Sequence, residues 1–338
     1  MTVNSSTTIV DRILILHRAF ASAQDLLEQC FMYSVNKAEA EGLAIVGESG
    51  TGKTSLVTNF ADKHRPKRGA NGMEVPILFV TVPAAPTVKS LAGAMIHRLG
   101  ASDPERGTEN DKTWRLRVLM EQTGTRMIIL DEFQHFFDRG KRQVMHHVAD
   151  WLKLLMDDMR STVVVTGLPE CTNVIAGNEQ LERRFLAPIE LPQFDWFIAE
   201  QRDEFIDILE NFGDKISDEF ETPELHSEQM AYQFWCATGG LLAHLSKLLR
   251  CSLRKALQEN RKIIRLADFA AARETAMWLR GWEPGVPKPF DQDFSLVPSA
   301  DVAACVRTIG IATETLPTSR ARNLSGQDGA IIYQRKAS

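Results

Sequence analysis

Gly47-Glu48-Ser49-Gly50-Thr51-Gly52-Lys53-Thr54 sets glycines, a lysine and a threonine at the spacing G-x-x-x-x-G-K-[ST]. Each residue type has a physical task there. The glycines let the backbone curl so that successive N–H groups face a single anion. Lys53 adds positive charge beside the β and γ phosphates of a nucleoside triphosphate, and the Thr54 hydroxyl suits a Mg²⁺ ion. Leu43-Ala44-Ile45-Val46, just before, reads as a buried strand, and Lys53 to Lys63 reads as a helix. A phosphate loop needs that order, because the helix then aims its positive end at the same anions. The expected ligands are ATP and Mg²⁺, with Gly47 to Thr54 wrapping the phosphates.

Met127-Ile128-Ile129-Leu130-Asp131-Glu132 is an apolar strand ending in two carboxylates. Asp131 is expected to hold the Mg²⁺ and Glu132 to orient and polarise the attacking water. The pair favours hydrolysis over phosphoryl transfer to a small substrate. Thr166 ends another apolar run, before Gly167, where side chains of a parallel sheet face the ligand crevice. Its hydroxyl either feels the γ-phosphate and its water or bonds its own turn. In Gln180-Leu181-Glu182-Arg183-Arg184-Phe185, two arginines precede the proline-bounded segment Pro188 to Pro192. They are either solvated helix-end residues or a finger reaching a neighbouring subunit's γ-phosphate.

Positioning these groups requires a scaffold. Ile9 to Tyr33 carries apolar residues at helical spacing and predicts one or two helices. Strands are expected at Leu43–Val46, Ile77–Val82, Met127–Leu130 and Ser161–Thr166. Helices are expected at Lys53–Lys63, Val88–Leu99, Lys112–Gln122 and around Ala149–Met159, with Pro66, Gly69 and Gly72 stopping the first. Such alternation implies an α/β fold, a parallel sheet covered by helices on both faces. From Phe197 the pattern is helical only, and beyond Arg280 it turns rich in Pro, Gly, Ser, Ala and Thr. The expected organisation is an N-terminal helical segment (1–40), an ATPase core (41–196), a helical lid (197–280) and a mostly flexible tail (281–338).

Bulk composition excludes little. A net charge of −5 does not advertise nucleic-acid binding, yet a local basic stripe can bind phosphate on an acidic protein. The five cysteines are scattered, with no metal-ligand spacing, and suit reduced thiols. No apolar run is long enough for a bilayer, and Met1 to Thr8 lacks a signal-peptide layout. A cytoplasmic protein without membrane contact is expected.

Together, the phosphate loop, Asp-Glu strand, threonine strand, Arg-Arg-Phe segment and helical lid resemble the AAA+ ATPases. Three segments make the resemblance narrower: Ile129-Leu130-Asp131-Glu132-Phe133-Gln134-His135-Phe136, Val164-Val165-Thr166-Gly167-Leu168-Pro169-Glu170 and Gln180 to Phe185. They are similar to the TniB/TnsC-type ATPases that regulate transposition in Tn7-like and related elements. The resemblance covers the chain from the phosphate loop to the lid. It implies an ATPase that assembles into rings or helical filaments on duplex DNA. It also implies that the assembly links a target-selection factor, such as a CRISPR-associated adaptor, to recruitment of the transposase, and is reset by hydrolysis. It makes Arg184 the first candidate finger and Arg183 the second.

For DNA contact the sequence offers two basic clusters: Arg139, Lys141 and Arg142 just past the Asp-Glu strand, and Lys112, Arg115 and Arg117 on the helix before it. Either lines a filament's pore or is a solvated helix face. The lid segment Thr238 to Leu245 carries no arginine where many AAA+ lids present one, Arg250 being almost two turns on. Slow, assembly-dependent hydrolysis is therefore expected, with His244 a packed histidine or a substitute. His135 either touches the active-site edge or caps a helix. Pro287-Lys288-Pro289-Phe290 is a short aromatic anchor that either docks on the transposase or a target-selection factor or belongs to an untethered tail. Two rivals stand beside the transposition reading. One is a replication initiator or helicase loader, which a helix-turn-helix after the lid would favour; the other is an ATP-gated protein scaffold without DNA contact.

Overall fold

The computed structural model describes residues 9–10, 13, 17–34, 40–70, 72–139, 142–277, 285–295, 297, 299–307 and 309. Helix α1 (Arg18–Tyr33) leads into β1 (Gly42–Val46), the phosphate loop and α2 (Lys53–Lys63). A hairpin of β2 (Lys67–Gly69) and β3 (Gly72–Glu74) precedes β4 (Ile77–Thr81), α3 (Val88–Arg98), α4 (Glu109–Thr123) and β5 (Met127–Asp131). Then come α5 (His135–Arg139), α6 (Arg142–Met159), β6 (Thr162–Gly167), α7 (Thr172–Ala176), α8 (Glu179–Glu182) and β7 (Ile189–Glu190). The remaining elements are helical: α9 (Ala199–Ser217), α10 (Glu228–Thr238), α11 (Leu242–Gln258), α12 (Leu266–Ala276) and α13 (Ala300–Arg307).

The main sheet runs β4-β5-β6-β1-β7, every neighbouring pair parallel. Its three central strands are buried at every position, so they read as continuous apolar runs instead of alternating ones. The alternation is still present in what each residue touches. Ala44, Val46, Ile128, Leu130, Val163 and Val165 pack beneath α3, α4 and α6. Leu43, Ile45, Met127, Ile129 and Val164 face Phe20, Leu27 and Phe31 of α1 and Leu56, Val57 and Phe60 of α2. The register aligns the strand ends that matter: Ile45 lies opposite Thr166, Val46 opposite Gly167 and Thr81 opposite Asp131. One edge of the sheet thereby presents the phosphate loop, Asp131 and Thr166 side by side.

Several expectations are revised. β7 is only two residues long, too short for any period to show, yet Leu191 N–H donates to Val46 O at 2.8 Å and locks it beside β1. Lys67–Gly69 and Gly72–Glu74, which the sequence marks only as a helix stop, pair as an antiparallel hairpin. The tail is not wholly loose: Phe290, Phe294, Val302 and Val306 are buried in the lid core. The Phe290 ring packs against Phe234 and Phe269, with centroids 5.2 and 5.6 Å away. Pro287-Lys288-Pro289-Phe290 is thus an anchor for its own lid, and a docking role for Phe290 is overturned. Single aromatics among prolines and glycines carry no periodic signal of where they pack. The expectation for 310–338 lies outside the described residues. Among the described residues no helix is long and apolar enough to cross a membrane.

His17 begins α1, its ring between those of Phe20 and Phe194 at 5.9 and 5.4 Å. Burial lowers its pKa from 6.5 to about 4. The folded chain keeps His17 neutral while the unfolded chain takes up a proton below about pH 6.5, so stability falls as the pH drops from there towards 4. The full effect is about 3 kcal/mol. Thermal melts across that window should show the decline, and His17→Phe should flatten it; an equal slope in the variant would remove His17 as its source.

Candidate nucleotide site

The loop from Gly47 to Gly52 joins β1 to α2 in the only way its residues permit. A Cβ at Gly47 would stand 2.4 Å from the carbonyl oxygen of Leu191, so no side chain fits. Gly52 caps α2 in the left-handed region with φ +99°. Lys53 is buried, and its Nζ donates to the carbonyl oxygens of Gly47 (2.7 Å) and Glu48 (2.8 Å). The loop is therefore curled about its own ammonium. Burial lowers the Lys53 pKa, and the carboxylates of Glu132, Asp131 and Glu48 oppose that shift.

Across the loop, Asp131 is buried at the end of β5. Its Oδ2 accepts from the Thr54 hydroxyl at 2.9 Å, and its Oδ1 accepts from the Thr166 hydroxyl and, at 3.0 Å, from Glu132 N–H. Thr166 is fully buried and acts on Asp131, not on the cavity directly. Glu132 sits at φ +59°, a left-handed conformation uncommon for a non-glycine residue and typical of functional turns. Just after it, Phe133 N–H donates to Thr166 O at 2.9 Å, tying the turn to β6.

The loop and Glu132 line a cavity of about 660 Å³, within the usual size for a small-molecule site. Ser49, Gly50, Lys53, Thr54 and Glu132 form its polar wall, while Val10, Ile13, Phe20 and Leu242 form an apolar end fit for a planar base. The third side is α11. Ala243 N–H donates to Gly50 O at 3.0 Å, tying the lid to the phosphate loop. Ala243, Ser246, Lys247 and Arg250 recur at helical spacing on one face and all line the cavity. The lid thus does present cations to the site, against the expectation from sequence. Counting turns from Gly239-Gly240 misleads because α11 runs alongside the cavity instead of pointing at it. The i, i+3, i+4, i+7 pattern was the signal to follow. His244 is packed away, its Nδ1 3.2 Å from Thr238 O and its pKa lowered by burial. His135 Nδ1 lies 3.0 Å from Val82 O and lines no part of the cavity.

Other expected residues stand elsewhere. Arg184 O accepts from Gly42 N–H at 2.7 Å, which places the Arg-Arg segment at the start of β1, whereas the phosphate loop follows its end. Roughly 13 Å of strand separate the two. Arg184 Nε and Nη2 donate to Asp157 Oδ1 at 3.0 and 2.7 Å, while Arg183 pairs with Glu179 in the open, both side chains 75% exposed. Lys112 is corrected as a DNA contact: it is buried, with Nζ 3.1 Å from Glu105 Oε2. Arg115 donates to the carbonyls of Asp103 (3.0 Å) and Ser102, and Arg117 pairs with Asp158. That cluster pins a loop and α6 within the fold. Arg139 and Arg142 bound α5 and α6, but their side chains and Lys141 lie outside the described residues.

Residues 7–196 match the family described as "Bacterial TniB protein", more than half of the chain. The chain belongs to that family. No curated protein matches it. Among solved structures it is similar to Cdc6p of Pyrobaculum aerophilum (TM-score 0.60, 14% identity, covering 83% of this chain and 74% of that one). It is also similar to two Aeropyrum pernix proteins at 14% identity. ORC2 covers 80% of this chain and 72% of that one at TM-score 0.58, and ORC1, solved in complex with DNA, covers 80% and 69% at 0.56. At that identity the likeness concerns fold, and the fold is the AAA+ one. This TniB-family chain is an AAA+ ATPase.

Proposed function

We propose that the chain is an ATP-dependent regulator of DNA transposition. It assembles with copies of itself on duplex DNA, links a target-selection factor such as a CRISPR-associated adaptor to recruitment of the transposase, and is reset by hydrolysis in the cytoplasm. The observation that carries this reading is the division of the site between the two ends of the strands. The loop, Asp131 and Glu132 gather at one end of the strands and Arg183 and Arg184 stand near the start of β1, a separation that supports a role in a neighbour's site over one in their own. Family membership points the same way, and ORC1, whose fold the chain shares, was solved in complex with DNA. A replication-initiator role has the shared fold behind it, but the TniB match across the core speaks against it.

The residues present fit Mg²⁺. Thr54 Oγ1 and Asp131 Oδ2 are 2.9 Å apart, hard oxygen donors of the kind that hold Mg²⁺ beside phosphates. No cluster of three or more His, Cys, Asp or Glu competes for a metal among the described residues. Bound Mg²⁺ neutralises charge on the phosphate oxygens. Lys53 exchanges its two loop carbonyls for phosphate oxygens, Glu132 orients water, and Thr166 keeps Asp131 turned towards Thr54. The apolar end of the cavity takes the base, with Lys247 and Arg250 closing over the phosphates. DNA contact falls first to Arg139, Lys141 and Arg142, since Arg115 and Arg117 are engaged within the fold.

Arg184→Ala tests the neighbour's role. It should bind nucleotide as the parent does and lose at least about 100-fold of the hydrolysis stimulated by assembly, in line with a trans arginine. Arg183→Ala measured alongside ranks the two. Full stimulated rates in both variants would place the finger elsewhere and weaken the shared-site reading.

A further inference from the structure

Gln134 has no part in the chemistry assigned so far, yet it is buried at the wall of the same cavity, with 7% of its surface exposed. Its amide is held at both ends. Oε1 accepts from Leu168 N–H at 3.2 Å, just beyond β6, and Nε2 donates to Oε2 of Glu132. Because a backbone N–H can only donate, Leu168 fixes which end of the amide is oxygen and turns the NH₂ towards the carboxylate. The room for this is tight: a Cβ at Gly167 would come within 2.5 Å of Gln134 Oε1.

We infer that Gln134 is a positioning residue that sets the Glu132 carboxylate for water activation. The inference rests on Glu132 being the group that orients the water. A glutamate side chain has three rotatable bonds, and Glu132 leaves a turn whose backbone is left-handed, so β5 alone does not determine where the carboxylate points. Gln134 supplies the missing constraint. It engages one carboxylate oxygen, leaves the other for water, and refers both to the turn that follows Thr166. Since Thr166 bonds Asp131 and Leu168 bonds Gln134, the end of β6 governs both acidic residues through separate side chains. A backbone shift there moves Glu132 relative to the phosphates without breaking the loop's grip on them.

The test compares full-length Gln134→Ala, Gln134→Glu and Glu132→Gln in Mg-ATP hydrolysis, with and without duplex DNA, alongside titration with a fluorescent ATP analogue. Gln134→Ala should lower kcat about 10- to 100-fold, as misplacement of a reacting group does, with nucleotide affinity kept within about twofold. Gln134→Glu replaces the amide donor by a carboxylate that cannot donate to Glu132, so its kcat should fall at least as far as that of Gln134→Ala, again with affinity kept. Unchanged kcat in Gln134→Ala overturns the inference. Affinity and kcat falling together, or a Gln134→Glu variant that turns over as fast as the parent, also overturns it by reducing Gln134 to a packing residue. Normal turnover by Glu132→Gln instead removes the assignment of Glu132 on which the inference rests, and so separates the two failures.

Discussion

Lys53→Ala should lose nucleotide binding, with affinity for an ATP analogue at least about 100-fold weaker in a fluorescence titration. Two effects combine. The ammonium donates to Gly47 O and Glu48 O, so its removal leaves two inward carbonyls of a tightly curled loop without their donor. It is also the positive group among Asp131, Glu132 and Glu48, and without it the phosphates approach three carboxylates with no intervening charge. On binding, Lys53 exchanges those carbonyls for phosphate oxygens, and charge-assisted hydrogen bonds of that sort contribute about 1.5–3 kcal/mol each, so losing two accounts for the expected factor. Helical circular dichroism should stay near the parent's, since α2 is also held by Leu56, Val57 and Phe60 in the core. Retained affinity would mean that the loop does not grip phosphate.

Glu132→Gln should separate binding from turnover. The amide keeps the size of the carboxylate, leaves Asp131 and its bonds to Thr54 and Thr166 untouched, and removes only the capacity to take a proton from water. Nucleotide affinity should stay near the parent's while kcat falls by about 10²–10⁴, the usual reach of a general base. On the proposed function this variant accumulates in its assembled form, because reset requires hydrolysis. Size-exclusion chromatography with ATP should then show persistent large species where the parent returns to small ones. Normal turnover would exclude Glu132 from the chemistry.

What the sequence disclosed follows from how local each feature is. A phosphate loop must be contiguous, so Gly47 to Thr54 was legible whole, as was Asp131-Glu132 at the end of an apolar strand. The parallel sheet was legible because its central strands are buried on both faces. Features assembled from distant segments were not. Val10, Ile13, Phe20 and Leu242 line the same cavity, and no spacing links the N-terminal segment to the lid. Lys247 and Arg250 were hidden because the direction of α11 relative to the loop is a tertiary fact. Lys112 looked like a surface cation since sequence carries charge but not burial, and Glu105 seven residues earlier is its partner. Phe290 and Phe294 gave no periodic signal, yet they close the lid core. Gln134 stood in plain view within the Asp-Glu segment, and only its two bonds reveal what it does.

The most direct test is binding of the purified full-length protein to duplex DNA, with and without a slowly hydrolysed ATP analogue, followed by negative-stain imaging. Nucleotide-dependent rings or filaments on DNA are the predicted result. DNA binding absent in both states, with the ATPase intact, would contradict a transposition regulator that assembles on DNA and would favour a scaffold built of protein alone.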